Sequence, residues 1–205
     1  MERSYWESKW NKNDIGFHQA EINTHLQKFY PKLGLQKGDT VLVPLCGKTQ
    51  DMCWLADQGL KVVGVELSEK AVQEFFEENK IEFKREGNLF ISGNITIICQ
   101  DIFKAKLDQY SFKAIFDRAA TVALPKRMRS SYLELLRNQM PNPNTLMIIF
   151  QYDQSLVDGP PFSVEVSEVK EVFSSLEVLE RTSLESRPPK FKDVPRFEIT
   201  CLHLK

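Results

Sequence analysis

The stretch TVLVPLCGKTQDM, Thr40 to Met52, leads from a short apolar run into Gly47-Lys48-Thr49, the last three residues of a phosphate-binding loop. The full loop is Gly-x-x-x-x-Gly-Lys-[Ser/Thr], and its backbone N–H groups surround the phosphates. Here Leu42 stands where the first glycine is required, and Pro44 lies inside the turn. Proline has no N–H to donate, so the segment argues against ATP or GTP hydrolysis. A dinucleotide site needs Gly-x-Gly-x-x-Gly after the first strand, and the chain holds no Gly-x-Gly. One component of that site remains. Glu66 ends the next apolar run, KVVGVE, about 20 residues past the first loop, where an acidic side chain accepts ribose hydroxyls. A ribose grip with no polyphosphate cradle suits a nucleoside cofactor without phosphates, and S-adenosylmethionine is the leading candidate. Considered alone, Glu66 reads more readily as a solvated residue at a strand end, because the motif is hypothesis-grade.

Other residues carry weaker signals. Arg118 follows Asp117 at the end of KAIFD. The plain reading is an ion pair; a place at the carboxyl end of a strand, where open α/β sheets bind ligands, favours a functional one. Trp6 and Trp10 are four apart and share a face if their segment is helical, which fits core packing and ligand contact equally. His18 is a candidate general base, but a histidine that fixes the N-terminal segment by hydrogen bonds is the simpler reading. Cys46 has no base beside it in sequence and reads as packing. Lys48 reads as a support for its loop, paired with an acid. Cys46, Cys53, Cys99 and Cys201 form no C-x-x-C pair, and His18, His25 and His203 add no ligand spacing. No metal site is expected.

These residues have to be held by the elements around them. A helix is predicted from about Gln19, with Ile22, Leu26, Phe29 and Leu33 on one face. Val41–Val43 and KVVGVE read as strands buried on both sides. Between them lies a helix from about Asp51, with Gly59 suited to its C′ position. Ser68 is a good N-cap for the next helix, whose Ala71, Val72, Phe75 and Phe76 face inward. This alternation is the unit of a parallel sheet. EGNLFISGN reads as a local hairpin or edge excursion. ITIICQD, KAIFD and TLMIIFQYD supply three more strands, with a helix after Pro125, which is placed at its N1 position. GPPF is a rigid loop, a helix covers Val166 to Phe173, and LEVLE and RFEITCLHL are the last strands. The prediction is one open α/β sheet of seven strands in a single domain, residues 1–205.

Composition agrees with a globular chain. It has 205 residues, 42% hydrophobic and 27% charged, with a formal net charge of -1. That balance gives no electrostatic reason to expect nucleic acid. No apolar run approaches the ~20 residues of a membrane-spanning helix, and the charged start MERSYWESKW is not expected to be a secretion signal. Reduced thiols point to the cytoplasm. No large dimer face is evident, and a monomer is expected.

The segments YWESKW, IGFHQAEIN, VLVPLCGKTQDMCWLADQG, VVGVELSEKAV, DRAATVALP and GPPFSV occur in this order. Together they resemble the thiopurine S-methyltransferases, bacterial type, along nearly the whole chain. Any one of them is weak; six in order at the family's spacing are specific. The resemblance implies a Rossmann-like class I methyltransferase fold, with a mostly parallel seven-stranded sheet, helices on both faces and a C-terminal antiparallel strand. It implies S-adenosylmethionine as methyl donor and S-adenosylhomocysteine as product. It places Trp10 near the cofactor, within an N-terminal helical cover of about residues 1–33. Leu45 is implied to contact the cofactor, Glu66 to hold its ribose, and Asp101 and Ile102 to border its adenine. Arg118 is implied to lie at the junction of donor and acceptor and to act in catalysis, with Phe17, Pro161 and Phe162 walling the acceptor. Thr121 departs from the family's leucine; no effect on the acceptor pocket is expected from it. The tail ESRPPKFKDVPRF does not align, so Arg187, Lys190 and Lys192 stay open as acceptor contacts and none is assigned.

The expected reaction is in-line displacement at the methyl carbon by the sulfur of an aromatic or heteroaromatic thiol, a small-molecule partner. Arg118 would favour the anionic acceptor by its charge. The alternative keeps the donor and takes soft inorganic acceptors: selenium or tellurium species, thiocyanate or halide. A non-catalytic cofactor-binding module is the reading from another class.

Overall fold

Alternating apolar runs and amphipathic segments fold into a single twisted sheet with helices on both faces. The computed structural model describes residues 3–139, 144–183 and 189–204. In chain order the elements are α1 (Arg3–Asn11), α2 (Thr24–Phe29), β1 (Thr40–Pro44), α3 (Asp51–Asp57), β2 (Lys61–Glu66), α4 (Glu69–Glu78), β3 (Lys84–Glu86), β4 (Leu89–Ser92), β5 (Ile95–Cys99), β6 (Phe112–Arg118), α5 (Lys126–Arg137), β7 (Asn144–Tyr152), α6 (Val166–Lys170), β8 (Leu176–Ser183) and β9 (Phe197–Leu204). The strand order is β3-β4-β5-β2-β1-β6-β7-β9-β8. The five strands β5 to β7 in that order run parallel. β9 pairs antiparallel with both β7 and β8, the reversed strand that the sequence implies.

The sheet has nine strands rather than seven. The segment expected as a local excursion is the source of the difference. Gly87, at φ +62, turns β3 into β4, and Gly93, at φ +53, turns β4 into β5. Positive φ is what tight hairpin turns require, so two short strands extend the sheet at one edge.

Side chains alternate across each strand, and the alternation sorts the core into two layers. Leu42, Val63, Val65, Met147 and Ile149 pack on one face with α5 residues Tyr132, Leu133 and Leu136. Val41, Val43, Val62, Leu146 and Ile148 pack on the other with Leu26, Met52, Leu55, Phe75 and Phe76. Gly64 of β2 leaves room for the β1 turn and α3: a Cβ there would lie 2.8 Å from Cys46 Sγ and 2.9 Å from Met52 Sδ.

Helix ends follow local chemistry. The helix expected from Gln19 begins at Thr24, because the Asn23 side chain accepts from the His25 and Leu26 N–H groups. Pro31 then converts its continuation into a 3-10 turn over Tyr30–Leu33. Pro125 is the N-cap of α5 rather than its first residue, in extended conformation. Ser68 caps α4 as predicted, accepting from Ala71 N–H. Among the described residues no helix is long and apolar enough to cross a membrane.

Candidate active site

All five parallel strands deliver their carboxyl ends to one edge of the sheet. From β1 the chain crosses to β2 on one side, while β6 flanks β1 on the other. Such a switch point opens a crevice beyond the strand ends. A cavity of about 1070 Å³ occupies it, and its lining includes the β1 turn from Leu45 to Thr49, Glu66, Asp101, Ile102 and Arg118. Trp10, Phe17 and His18 line it from the N-terminal segment, and Phe150, Pro160, Pro161 and Ile199 from beyond β6.

The Gly47-Lys48-Thr49 turn is committed to protein partners. Gly47 N–H donates to Glu66 Oε2 at 2.9 Å, and Ser68 N–H to Glu66 Oε1 at 2.7 Å. Burial raises the Glu66 pKa above the usual carboxylate value, and the backbone N–H groups only partly oppose it. An ionised carboxylate offers about four acceptor sites, so two remain after these bonds. Lys48 is buried, and its Nζ donates to Glu74 Oε2 at 2.9 Å and Glu78 Oε1 at 2.6 Å. Burial lowers the pKa of Lys48, but the two carboxylates more than offset this and raise it. The lysine of the loop therefore pairs with acids of α4, as its sequence reading proposed. Gly47 has φ +52, and a Cβ on it would lie 3.2 Å from the Trp10 ring, so the turn passes close beneath that indole.

Arg118, the last residue of β6, reaches across the cavity wall. Its Nη1 donates to the Phe17 carbonyl at 3.0 Å and its Nη2 to Thr49 Oγ1 at 3.1 Å. Its Nε lies 3.5 Å from Asp51 Oδ2. Asp51, almost wholly buried, also accepts from Asn23 N–H at 2.8 Å and from the Thr49 hydroxyl at 2.8 Å. Burial lowers the Arg118 pKa, and Asp51 works against that shift. The carboxylate in partnership with Arg118 is thus Asp51, not its neighbour Asp117. Neither Thr49 nor Asp51 is singled out by the sequence as a partner of Arg118, although Asp51 stands only two residues past Thr49 at the start of α3.

Asp117 is fully buried and accepts from Thr121 N–H, the Thr121 hydroxyl and the Tyr132 hydroxyl at 3.0, 2.7 and 2.8 Å. Buried in this way and outside the cavity lining, it has no access to an acceptor as a base. Thr121 is itself buried, bound to Asp117 and outside the cavity lining, so its hydroxyl faces neither the acceptor side nor solvent.

The N-terminal segment lines the cavity with aromatic rings. Phe17 meets Trp6 edge-on at 5.7 Å and Trp10 at 5.6 Å. The four-residue spacing thus puts both indoles on one face of α1, as predicted. His18 lines the cavity, and burial, then Lys48, lowers its pKa. Cys46 is buried, and burial pushes its thiol well up, consistent with packing.

Of the predicted site residues, Trp10, Phe17, Leu45, Glu66, Asp101, Ile102, Arg118 and Pro161 all line this one cavity. Phe162 does not. Its N–H donates to the Val122 carbonyl and its ring folds onto Gly159, where a Cβ would lie 2.2 Å from it. That turn aims Pro160 and Pro161, rather than Phe162, at the cavity. Of the tail residues left open, Lys190 lines the cavity with its Nζ on the Pro160 carbonyl at 2.6 Å, and exposed Lys192 lies 4.0 Å from Asp193. Arg187 lies outside the described residues. Two residues bordering the crevice, Leu45 at φ +47 and Ala119 at φ +61, occupy the left-handed region without being glycine, a strain that tends to collect at functional sites.

The family described as Thiopurine S-methyltransferase (TPMT) matches residues 1–201. A thiopurine S-methyltransferase of Pseudomonas putida is 42% identical over 199 residues, covering 93% of this chain and 92% of the relative. A probable thiopurine S-methyltransferase of Yarrowia lipolytica is 41% identical over 182 residues, with 85% of each chain covered. Among solved structures, a Burkholderia thailandensis 1,6-didemethyltoxoflavin-N1-methyltransferase with bound S-adenosylhomocysteine aligns at a TM-score of 0.66, covering 99% of this chain and 87% of that one. At 14% identity that likeness concerns the fold alone. The whole-chain family match and the relatives above 40% identity agree with the crevice just described: the chain belongs to the thiopurine S-methyltransferase family and is an S-adenosylmethionine-dependent methyltransferase.

Proposed function

We propose that the protein methylates the sulfur of aromatic or heteroaromatic thiols, with the donor over β5, β2 and β1 and the acceptor over β6, β7 and β9. The observation that carries this reading is the placing of Glu66 and Arg118 on opposite sides of the β1 turn, in one cavity. On the donor side, the two acceptor positions left on Glu66 suit ribose hydroxyls. The only lysine of the turn is consumed by Glu74 and Glu78, so the turn suits a nucleoside without phosphates. Asp101 and Ile102 border the adenine, and Leu45 and Trp10 close over the cofactor within a cover formed by about residues 1–33. An aromatic face attracts a sulfonium as it does other cations, by about 0.5–2 kcal/mol.

When bound, the cofactor supplies an already activated methyl group. The chain's part is alignment and charge. Phe17, Pro160 and Pro161 give flat apolar walls that hold a ring and exclude water from the reacting line. Arg118 stays protonated and favours the thiolate over the thiol through its nearby charge. Asp117, fully buried and outside the cavity lining, is not placed to act as a base. Four free cysteines among the described residues support a reducing, cytoplasmic setting. The near-zero net charge supports small-molecule partners rather than nucleic acid, and the protein is proposed to act as a monomer.

The test is incubation with labelled S-adenosylmethionine and a panel of aromatic thiols, selenite, thiocyanate and halides, with products identified by mass. Methylated aromatic thiols are expected as the best products. Arg118→Ala should cut turnover of an acidic aromatic thiol by about tenfold or more while S-adenosylhomocysteine affinity changes far less. Preferred methylation of the inorganic acceptors, or full turnover by the alanine variant, refutes the reading.

A further inference from the structure

We infer that Thr49, the last residue of the loop that looks built for phosphate, is a positioning residue for Arg118 and thereby for the acceptor; this rests on the acceptor-side role proposed for that arginine. Thr49 is 4% exposed, lies on the cavity wall and makes three hydrogen bonds through one oxygen. It donates to Asp51 Oδ2 at 2.8 Å, and it accepts from Asp51 N–H at 3.3 Å and from Arg118 Nη2 at 3.1 Å. A hydroxyl has one proton and two lone pairs. The proton is spent on the carboxylate, so the oxygen is obliged to face the guanidinium as an acceptor. Asp51 thus fixes the polarity of the contact as well as standing near Nε.

An arginine side chain has wide rotamer freedom, and its planar fork is useful only when held in one orientation. Here three anchors from three segments hold it: the Phe17 carbonyl, the Thr49 hydroxyl and the Asp51 carboxylate. The carbonyl belongs to the N-terminal cover. The hydroxyl belongs to the turn whose Gly47 N–H rests on Glu66, and the carboxylate to the first residue of α3. Thr49 therefore joins the proposed ribose carboxylate, through three consecutive residues, to the guanidinium beside the proposed acceptor. Removing its hydroxyl leaves Nη2 without its partner and frees the fork to swing, while Gly47 and Glu66 keep their own bond.

A double-mutant cycle separates positioning from plain support of the fold. Thr49→Val and Thr49→Ser are made in the wild-type and Arg118→Ala backgrounds. Turnover and KM for an aromatic thiol, calorimetric affinity for S-adenosylhomocysteine and the thermal midpoint are measured for each. Thr49→Val is expected to lower kcat about tenfold, with S-adenosylhomocysteine affinity within about threefold; Thr49→Ser should restore most of the rate. In the Arg118→Ala background Thr49→Val should cost less than about twofold, because residues acting through one another are not additive. Equal fold losses in both backgrounds, or no loss in either, overturn the inference while leaving an impaired Arg118→Ala protein and the acceptor-side role intact. Full turnover by Arg118→Ala overturns both. Should the valine protein not fold, Thr49→Ala removes the same hydroxyl and completes the cycle with the same criteria.

Discussion

Glu66→Gln tests whether one side chain both braces the β1 turn and holds the donor. Each Glu66 oxygen receives one backbone N–H, from Gly47 and Ser68. Glutamine keeps the length but offers a single oxygen, so one of those N–H groups is left facing an amide NH2. A buried donor without an acceptor costs about 1–3 kcal/mol, and the remaining bond loses its charge assistance. Against this, burial raises the Glu66 pKa, so the neutral amide recovers part of the cost of enclosing a charge. A net loss of about 2 kcal/mol is expected, or roughly 4–8 °C in the thermal midpoint for a chain of this size. If the carboxylate also accepts ribose hydroxyls, affinity for S-adenosylhomocysteine falls further, by about 10- to 100-fold. Ligand-free thermal unfolding reads the first effect and calorimetry the second. A lowered midpoint with unchanged affinity would remove Glu66 from the cofactor; unchanged values in both would refute the argument entirely.

Thr121→Val removes the hydroxyl bound to Asp117 but leaves the Thr121 N–H and the Tyr132 hydroxyl in place. It should cost about 1–3 kcal/mol of stability with little change in acceptor preference, read by urea unfolding and the thiol panel; an altered preference would contradict the placement of Thr121 outside the cavity. Burial, then Lys28, lowers the His25 pKa from its ordinary value of 6.5, against the opposing charge of Glu180, whose Oε2 lies 3.7 Å away. A depressed folded-state pKa gives stability that is present above the unfolded value and is lost as pH falls through the folded one. His25→Gln should therefore lose less stability than the wild type between pH 7.5 and pH 5.5, and parallel losses would contradict this.

Patterns that repeat within one element were legible in the sequence. The continuous apolar run in KVVGVE put Glu66 at a strand end, the spacing of Trp6 and Trp10 put them on a shared face, and Ser68 announced α4. Contacts between distant segments were not. Arg118 is 69 residues from Thr49 and 101 from Phe17, and no local pattern encodes such a meeting. The place of Thr121 was not legible either: Asp117 stands four residues before it, but nothing in the sequence shows that this carboxylate is buried and takes its hydroxyl as a donor. Phe162 was misplaced for a related reason: an aromatic beside two prolines suggests a wall, but the turn of the backbone decides which side chain faces inward. The two extra strands were hidden by their shortness, three and four residues, which gives too few alternations to tell a sheet edge from a loop.

Leu45 and Ala119, at the ends of the adjacent strands β1 and β6, hold backbone shapes that side chains resist, each at a cost on the order of 1–3 kcal/mol. Any molecule that fills the crevice and binds only the folded chain gives stability back, by about 2.7 kcal/mol at a hundredfold excess over Kd. The two quantities are of similar size. A bound methyl donor would then offset, in free energy, the backbone strain of the crevice that it fills.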